Sequence, residues 1–515
     1  MLFLVALLCS ASAGAEVLIR GLGPEPDSLD IHQAQGLAAI NLLRDVREGL
    51  LTLDAGGNPV PGMASSWQVL DNGKRYRFTL RPDSGWSDGQ PLQAADFVRA
   101  WRRAVDPATA SPTALLIHGV KNARAIQNGR LSVEQLGIKA IDDATLEVTL
   151  EQPVPWFLHL LTHPLTYPLA DGDHSRLQDG PFNGAYQLTK WTPQASLDLS
   201  ANPAFWDHAG LGVKQIRYLP IEEPAAELGR YRAGELHITE TIPAGRYQWL
   251  AENLPDELHV APYLGSFFLA VNLRHGPLAD QLPLRRALSL AIDRDKLTRL
   301  VLAAGEQPAW GLIPPGMGDY QSPAMEHTGI SQSRREQQAQ ELYRAAGFSR
   351  RKPLRVQLRF NTSTTHRRMA VAVAAMWKQV LGVSSELVNE EWKVFVNNRR
   401  QGVVTEIFRG GWIADYPDAQ NFLILFRSQS ELNWTGYNNP EFDQLLAHAD
   451  STVDPERRLA ILGQAEGLLM NEQPFIPLYY YVSRHLVKPA VSGFVDNSQD
   501  VHLSRYIRLD GVTRP

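Results

Sequence analysis

The side chains best suited to bind a ligand lie close together in one stretch, residues 405–423. A cation, a flat apolar wall, an anion and an amphipathic ring are supplied there by Arg409, Trp412, Asp415 and Tyr416. The glycine pair at 410–411 would let a ligand approach the backbone closely. The alternative is an ordinary surface loop with one packed tryptophan.

The sequence around these residues predicts that they lie at the end of a strand. We expect a short strand from Val403 to Phe408, a break at Gly410–Gly411, and a loop that ends at Pro417–Asp418. An apolar helical run with Phe422 on one side follows, and Pro and Asp are start signals for a helix. Open α/β sheets bind their ligands at the carboxyl ends of strands.

Residues 354–408 alternate between strand and helix patterns. Residues 354–360 alternate strictly between apolar and polar, and apolar residues from 369 to 380 then recur at helical spacing until Gly382. A strand at 383–388, a helix at 392–400 and the strand at 403–408 follow. This order implies parallel pairing through right-handed crossovers.

The segments that follow these strands should meet at one edge of one sheet. We therefore expect several distant side chains to converge there, namely His366, Trp392, Arg399, Arg409, Trp412 and Asp415. Tyr479 and Tyr481 should face one side of a later strand and Tyr480 the other. Tyr481 could reach the same loop, although core packing is the alternative for each ring.

The front half of the chain favours antiparallel sheet with inserted helices. Asp71-Asn-Gly73 between alternating runs predicts a hairpin over 67–80, and a second hairpin is expected at 138–150 around Asp142–Asp143. Further strands are predicted at 184–188 and 215–219.

Composition limits the classes of function. At 515 residues the chain is too long for one core, so two or three domains are expected. Hydrophobic residues make up 44% and charged residues 20%, as in ordinary globular proteins. A net charge of -5 without a basic run argues against nucleic-acid or anionic-membrane partners.

The N-terminus has the pattern of a secretory signal. Met1 to Leu8 is almost wholly apolar, and the small residues that follow suggest cleavage after Ala13-Gly-Ala15. We therefore expect an exported, soluble protein. Cys9 is the only cysteine, so the mature chain would have no disulfide, and a lipid anchor at Cys9 is disfavoured because large Leu8 precedes it.

A search for catalytic motifs predicts no enzyme. The nucleophile elbow, the zinc-protease helix, the phosphate loop and the dinucleotide fingerprint are all missing. The 14 histidines do not cluster at metal-ligand spacing, and His159 with His163 has no flanking acids. No cofactor or metal is therefore expected, although counting carboxylates leaves a glycosidase-type pair open.

Several motifs in fixed order resemble one family along nearly the whole mature chain. They include Pro26-Asp-Ser-Leu-Asp30, Arg44-Asp-Val-Arg-Glu-Gly-Leu-Leu51, Gly85-Trp-Ser-Asp-Gly89, Asn183-Gly-Ala-Tyr186, Ala291-Ile-Asp-Arg-Asp295, Glu391-Trp392 and Gly411-Trp-Ile-Ala-Asp-Tyr416. The chain is similar to periplasmic oligopeptide-binding proteins of the peptide ABC-transporter family, the family 5 extracellular solute-binding proteins.

The resemblance implies an α/β fold, the two-lobed periplasmic binding protein of type II, cluster C, with an extra domain inserted in the first lobe. The boundaries it implies are 1–15 for the signal peptide, 16–47, 166–264 and 483–515 for lobe 1, 48–165 for the inserted domain, and 265–482 for lobe 2. Two segments would cross between the lobes.

The resemblance also implies roles for ligand-binding residues. Asp415 matches the carboxylate that pairs with the α-ammonium of a peptide. Arg399, Arg409 and His366 match groups that meet the peptide's carboxylate, each suited to a different length. Pocket walls are matched by Trp392, Trp412 and Tyr481. Two segments match backbones that pair with the extended peptide, Gln35-Gly36-Leu37 and Gly411 to Ile413.

The chain departs from the family pattern near the expected pockets. Gln35 replaces a Glu of the best-known members, and Gly265 and Ile413 replace two cysteines that form a disulfide in some members. Thr113 and Leu116 lie in a stretch that bears Tyr in those members, and residues 239–241 replace a Tyr-Asn-Asn-like run.

The sequence thus predicts a monomeric, non-enzymatic receptor that captures short peptides by hinge closure and delivers them to a membrane ABC permease. A dedicated dipeptide or murein-tripeptide receptor is the alternative among binding proteins. An exported hydrolase is the remote alternative from another class.

Overall fold

The computed structural model describes residues 17–34, 36–172, 180–243, 245–323, 328–403, 406–430, 432–452 and 454–510. The predicted signal peptide at 1–15, with Cys9, and the candidate residue Gln35 lie outside these ranges. Within them, no helix combines the length and the apolar character that crossing a bilayer requires.

The strands are β1 (Val17–Gly21), β2 (Leu51–Leu53), β3 (Pro59–Pro61), β4 (Ala64–Leu70), β5 (Arg75–Leu80), β6 (Ile138–Ala140), β7 (Thr145–Thr149), β8 (Tyr186–Thr192), β9 (Ser196–Ala201), β10 (Gln215–Leu219), β11 (Leu258–Val271), β12 (Gln307–Pro308), β13 (Arg355–Asn361), β14 (Ser384–Glu390), β15 (Ile407–Ile413), β16 (Phe475–Leu486), β17 (Val491–Ser492) and β18 (Arg508–Leu509).

The α-helices are α1 (Leu37–Val46), α2 (Ala94–Val105), α3 (Ala123–Gln127), α4 (Phe157–Leu160), α5 (Pro224–Arg232), α6 (Tyr247–Asn253), α7 (Leu282–Leu290), α8 (Arg294–Lys296), α9 (Gln332–Ala345), α10 (Thr364–Leu381), α11 (Trp392–Arg400), α12 (Gln420–Leu423), α13 (Pro440–Ser451) and α14 (Pro455–Glu472).

Two four-stranded sheets form the front part of the molecule. One is antiparallel, in the order β4-β5-β7-β6, and contains both predicted hairpins. The other has the order β1-β10-β9-β8, with β1 parallel to β10. A single apolar core joins them, because their buried side chains pack in one cluster that includes Trp86, Trp101 and Tyr186. The prediction of sheet with inserted helices is confirmed.

A six-stranded sheet in the order β12-β16-β11-β15-β13-β14 forms the second part of the molecule, and two small sheets, β2-β3 and β17-β18, have two strands each. β13 is parallel to both β14 and β15, as the strand-helix alternation predicted. Helix α10 connects β13 to β14, and it ends where Gly382 takes a left-handed conformation at φ 81°. Separate apolar cores lie against this sheet, one centred on Trp377 and the other on Phe422.

The predicted end of the third strand was wrong. Strand β15 covers Ile407–Ile413, so Gly410 and Gly411 lie inside it and do not end it. The reason is steric, since a Cβ atom on Gly410 would lie 2.3 Å from the ring of Phe268 on β11. Glycine is required there because an aromatic ring of the neighbouring strand covers the backbone.

Strands β11 and β16 are unusually long and run antiparallel along each other. They pair at 258–262 with 482–486 and again at 266–270 with 475–480. The register shifts between Pro262 and Ser266. Their pairing therefore continues from the edge of the front part into the middle of the six-stranded sheet.

The steric role of Gly410 predicts the stability of two alanine variants. Gly410→Ala should lower the free energy of unfolding by about 1–3 kcal/mol, the usual cost of overpacking. Gly467→Ala is the matched control, because its Cβ would meet nothing within 4 Å inside α14. Alanine in a helix should instead stabilise by about 0.5–1 kcal/mol. Denaturant unfolding measures both, and equal shifts would contradict the argument.

Candidate functional site

The expected convergence of side chains takes place along β15 and the helices beside it. The rings of His366 and Phe267 lie 5.3 Å apart between centroids, and the Arg409 guanidinium lies 5.3 Å from the same Phe267 ring. Arg409 is in turn 5.8 Å from the ring of Trp392. His366 lies in the first turn of α10, and Arg409 lies within β15 and not after it.

The rings of Phe267 and Trp392 begin an aromatic wall, which further rings continue to the far end of strand β15. The guanidinium of Arg399 lies 3.5 Å from the ring centre of Trp434, and Trp434 lies 6.4 Å from Trp412. Trp392, 48% exposed, covers Phe395 on the same helix at 6.3 Å. Aromatic faces attract a guanidinium through their negative quadrupoles, so they can stabilise a cation that lacks a carboxylate partner.

Asn421 fixes the anionic end of the wall. Its Oδ1 accepts hydrogen bonds from the Trp412 indole at 2.6 Å and from the Asp415 backbone N–H at 3.2 Å. Its amide nitrogen donates to Asp415 Oδ2 at 3.5 Å. One buried amide thus orients the tryptophan and the carboxylate relative to each other.

The cations of the wall are not neutralised by protein carboxylates. Among the described residues, neither Arg399 nor Arg409 has an acidic side chain within 4.0 Å, and the Nε of each is buried without a hydrogen-bond partner. Burial, with the nearby Arg409 guanidinium, lowers the pKa of Arg399 to about 9. The same two causes lower the pKa of His366 to about 4, so His366 is neutral at neutral pH.

Asp415 is likewise an anion without a cation. No basic side chain of the described residues lies within 4.0 Å of it. The side chain is exposed, yet the surrounding protein removes enough solvent to raise the pKa of its carboxyl, against the hydrogen bond from Asn421. A bound cation would favour the ionised form and reverse this shift.

Tyr481 completes the wall beside Arg409. Its ring lies 5.7 Å from Tyr479 and 6.3 Å from Phe267, whereas the Tyr480 hydroxyl accepts a bond from the Gly311 N–H on the other face. The predicted alternation of the three tyrosines is confirmed. A Cβ on Gly411 would lie 3.0 Å from the Tyr481 hydroxyl, so the lack of a side chain at Gly411 leaves room for this hydroxyl.

One edge of β15 is open next to these charges. β11 pairs with all of β15, from Gly265 opposite Ile413 to Val271 opposite Ile407. On the other side, β13 pairs only with Ile407 and Phe408. Among the described strands, none pairs with residues 409–413 on that side. Their outward backbone groups can therefore accept another extended chain.

The other segment predicted to pair with a ligand, of which Gly36 and Leu37 are described, lies outside these contacts. Gly36 is the N-cap of helix α1, where its N–H donates to Asp27 Oδ1 at 3.3 Å and its carbonyl accepts from the Ile40 N–H at 3.0 Å. Leu37 is 56% exposed. Pairing of Gly36 and Leu37 with a ligand stays a prediction.

The positions that depart from the family pattern lie in different parts of the structure. Gly265 lies directly opposite Ile413, and a Cβ on Gly265 would lie 2.5 Å from the Tyr481 ring. The Thr239 hydroxyl accepts from the Leu486 N–H at 2.8 Å, so residue 239 contacts β16 and not the aromatic wall. Thr113 and Leu116 are half-buried in the front part.

Sequence reasoning missed several residues that hold the wall together. Phe267 and Trp434 come from segments that are distant in sequence, and no local pattern marks them. Asn421 follows Asp415 by six residues, and its position just after the helix start at Pro417–Asp418 was the available signal. Trp156 was also missed. Its ring stacks on Tyr416 at 5.0 Å with 2° between planes, and Arg458 lies 5.4 Å away.

The chain was compared with known proteins. Residues 58–434 match the family model described as bacterial extracellular solute-binding proteins, family 5 middle. The periplasmic oligopeptide-binding protein of Escherichia coli K12 is 39% identical over 95% of this chain and 92% of its own length. The periplasmic murein peptide-binding protein of the same strain is 38% identical, over 96% and 93%.

A solved structure has the same architecture. The oligopeptide-binding protein OppA of Burkholderia pseudomallei superposes with a TM-score of 0.82 at 35% identity, and the match covers 97% of this chain and all of the other. The α/β, two-lobed fold expected from the sequence is thereby confirmed. The chain belongs to the bacterial extracellular solute-binding proteins of family 5.

Proposed function

We propose that this protein is an exported receptor for short peptides, which it holds by both termini and by the backbone and passes to an ABC importer. The observation that carries the proposal is the open edge of β15, at residues 409–413, between an unpaired carboxylate and two unpaired guanidinium groups. A free peptide carries the complementary charges at its two ends.

The charges define the direction of the ligand. The peptide's α-ammonium would meet Asp415, and its carboxylate would meet Arg409, Arg399 or His366. Extended backbone advances about 3.3 Å per residue, so the six steps from Arg409 to Asp415 span at most about 20 Å between Cα atoms. The long arginine side chains shorten the gap to be bridged. Several cations along the wall would thus suit several peptide lengths.

The open edge supplies affinity that does not depend on peptide sequence. A peptide that adds as a strand to residues 409–413 would form backbone hydrogen bonds, whatever its side chains. Pockets walled by Trp392, Trp412 and Tyr481, as the family resemblance implies, would receive those side chains. Waters can fill unused space in such pockets, because a bridging water costs only about 0–2 kcal/mol.

Closure of two lobes would surround the ligand. We propose the division stated above, with lobe 1 at 16–47, 166–264 and 483–515, the inserted domain at 48–165 and lobe 2 at 265–482. The register shift of β11 against β16 lies next to the proposed boundaries and supports a hinge there. Trp156 would then link the inserted domain to lobe 2 through Tyr416 and Arg458.

Other features of the proposal follow from the sequence and the relatives. We propose cleavage of a signal peptide near Ala15, a periplasmic location without a lipid anchor at Cys9, a monomeric state and no catalytic activity. The relatives are described as periplasmic binding proteins, which supports the location and the receptor role. The importer would be an inner-membrane permease complex.

A dedicated receptor for a murein peptide is the second candidate. The murein peptide-binding relative is 38% identical, almost the same as the 39% of the oligopeptide-binding relative. Native mass spectrometry of protein isolated from its own periplasm separates the candidates. A spread of peptide masses indicates the broad receptor, and one mass indicates a dedicated ligand. Consumption of added peptide would instead indicate a hydrolase and overturn the proposal.

Removal of the Asp415 carboxylate should greatly weaken peptide binding. Asp415→Asn leaves the buried ammonium unpaired, which costs about 3–5 kcal/mol, or about 100-fold in affinity and more. Isothermal titration with a tripeptide and its N-acetylated form measures this. Acetylation of the tripeptide should weaken its binding to the parent protein, but it should cause little further loss of affinity in the variant. Asp143→Asn, an exposed carboxylate in the β6–β7 turn, is the control. Near-unchanged affinity of Asp415→Asn would contradict the assigned role.

Substitution of the two arginines should lower the affinity for peptides of different lengths. Arg399→Met and Arg409→Met keep apolar bulk but remove the charge, so each should weaken binding most for a different length. Loss of a charged hydrogen bond is worth about 1.5–3 kcal/mol. Titration with di-, tri- and tetrapeptides, each free and C-terminally amidated, measures the effect. The same loss at every length, or no sensitivity to amidation in the parent protein, would contradict it.

Trp156 should stabilise the closed form for every peptide alike. The stacked ring pair contributes about 0.5–1.5 kcal/mol, so Trp156→Ala should weaken all peptides by up to about tenfold, acetylated ones included. Small-angle scattering of the liganded variant should show a larger radius of gyration. Trp249→Ala is the control, because this ring contacts Arg232 at 5.2 Å within the front part of the molecule. Equal behaviour of the two variants would exclude a closure role.

A further inference from the structure

Two histidines and an aspartate form a cluster outside the aromatic wall. His485 belongs to β16, whereas Asp500 and His502 belong to the segment after β17. One donor atom from each of the three lies within 4.8 Å of the other two. A small cavity beside them is also lined by Thr239 and Glu240. Three separate parts of the chain therefore present metal-type ligands to one space.

Hydrogen bonds leave one nitrogen of His485 for this space. Its Nδ1 lies 2.9 Å from the Thr239 carbonyl oxygen, which can only accept, so Nδ1 carries a proton. Its Nε2 lies 2.7 Å from Asp500 Oδ1. A histidine that ligates a metal usually donates its other N–H to a carbonyl or carboxylate, which fixes the ring. His485 has this arrangement.

His502 presents the matching nitrogen from the other side. Its Nε2 lies 3.1 Å from the same Asp500 oxygen. Its ring stacks on Phe494 at 3.9 Å with 18° between planes, which limits rotation of the imidazole. The two imidazoles and the carboxylate are thus held in place, and both Nε2 atoms point to one oxygen.

Without a metal ion, the hydrogen bonds to the Asp500 oxygen require protons on the two imidazole Nε2 atoms. A metal ion could replace these protons. Because one carboxylate oxygen accepts from both rings, His485 is protonated on both nitrogens. Burial opposes this charge, but the Asp500 carboxylate outweighs burial and raises the pKa of His485. A dication bound to the two Nε2 atoms would displace the proton that makes His485 a cation.

We propose that His485, His502 and Asp500 form a binding site for a divalent transition-metal ion of the zinc class. Two imidazole nitrogens and one carboxylate oxygen, with a water molecule in the fourth position, suit four-coordinate Zn²⁺ and its neighbours in the first row. The ion would join the C-terminal segment to the long strand β16.

Neighbouring charges set how the site responds to pH. The charged groups that interact with His485 are Asp500, His502 and Asp496 from the C-terminal segment, Glu240 from the segment before α6, and Glu227 from α5, whereas Arg20 of β1 faces His502. The Arg20 guanidinium is bound to the His502 carbonyl at 2.9 Å and to Ser504 Oγ at 2.6 Å. Binding should release protons and tighten as pH rises, since a metal ion binds an imidazole nitrogen only when that nitrogen carries no proton.

Titration of the chelator-treated mature protein with zinc chloride tests the proposal. We expect one ion per chain, net proton release that shows as a dependence of the heat on buffer, and tighter binding at pH 8.5 than at pH 6.5, values that bracket the histidine range. Loading with Co²⁺ should give the strong visible bands of a four-coordinate ion. A lack of zinc binding, or of these bands, would overturn the proposal.

Variants locate the ion. His502→Ala and the nearly isosteric Asp500→Asn should each weaken zinc binding by about 100-fold, at the upper end of what ligand-shell changes cost. His448→Ala is the matched control, because it removes one exposed histidine of α13. Circular dichroism in chelator checks that each variant is folded. Unchanged affinity in a folded Asp500→Asn variant would place the ion elsewhere and overturn the assignment.

Discussion

The site depends on unequal pairing at the two edges of β15. β11 forms a full ladder along one edge, whereas β13 covers only the first two residues of the other. The covered edge holds the strand in position, and the open edge keeps its backbone groups available. An open edge is normally an aggregation hazard. Here the charged Arg409 lies beside Trp392 at this edge, and the Tyr481 hydroxyl lies beside Gly411.

The charges beside this edge are stabilised without neutralising one another. Arg399 lies against Trp434 and Arg409 lies between Phe267 and Trp392, so aromatic faces supply what carboxylates supply elsewhere. Asp415 is oriented by an amide and not by a cation. Each of these charges would therefore be available to a ligand of opposite charge.

Sequence patterns predicted the strands and helices more accurately than they predicted the side-chain contacts. Alternation at 354–360 and helical spacing up to Gly382 predicted the parallel strands, and these are confirmed. The end of β15 was predicted wrongly, because Gly410 was interpreted as a breaker when the ring of Phe268 demands it. The cluster at 485–502 was not foreseen, since its members become neighbours only after β16 and the C-terminal segment fold against each other. Steric and long-range causes leave no local pattern.

The pairing of Gly265 with Ile413 makes the packing at this end of the two strands dependent on glycine. A Cβ atom at 265 would lie 2.5 Å from the Tyr481 ring, so any larger residue there requires the ring to move. Because the Tyr481 hydroxyl also lies beside Gly411, a substitution at 265 would alter the surroundings of the open edge of β15 without touching that edge itself.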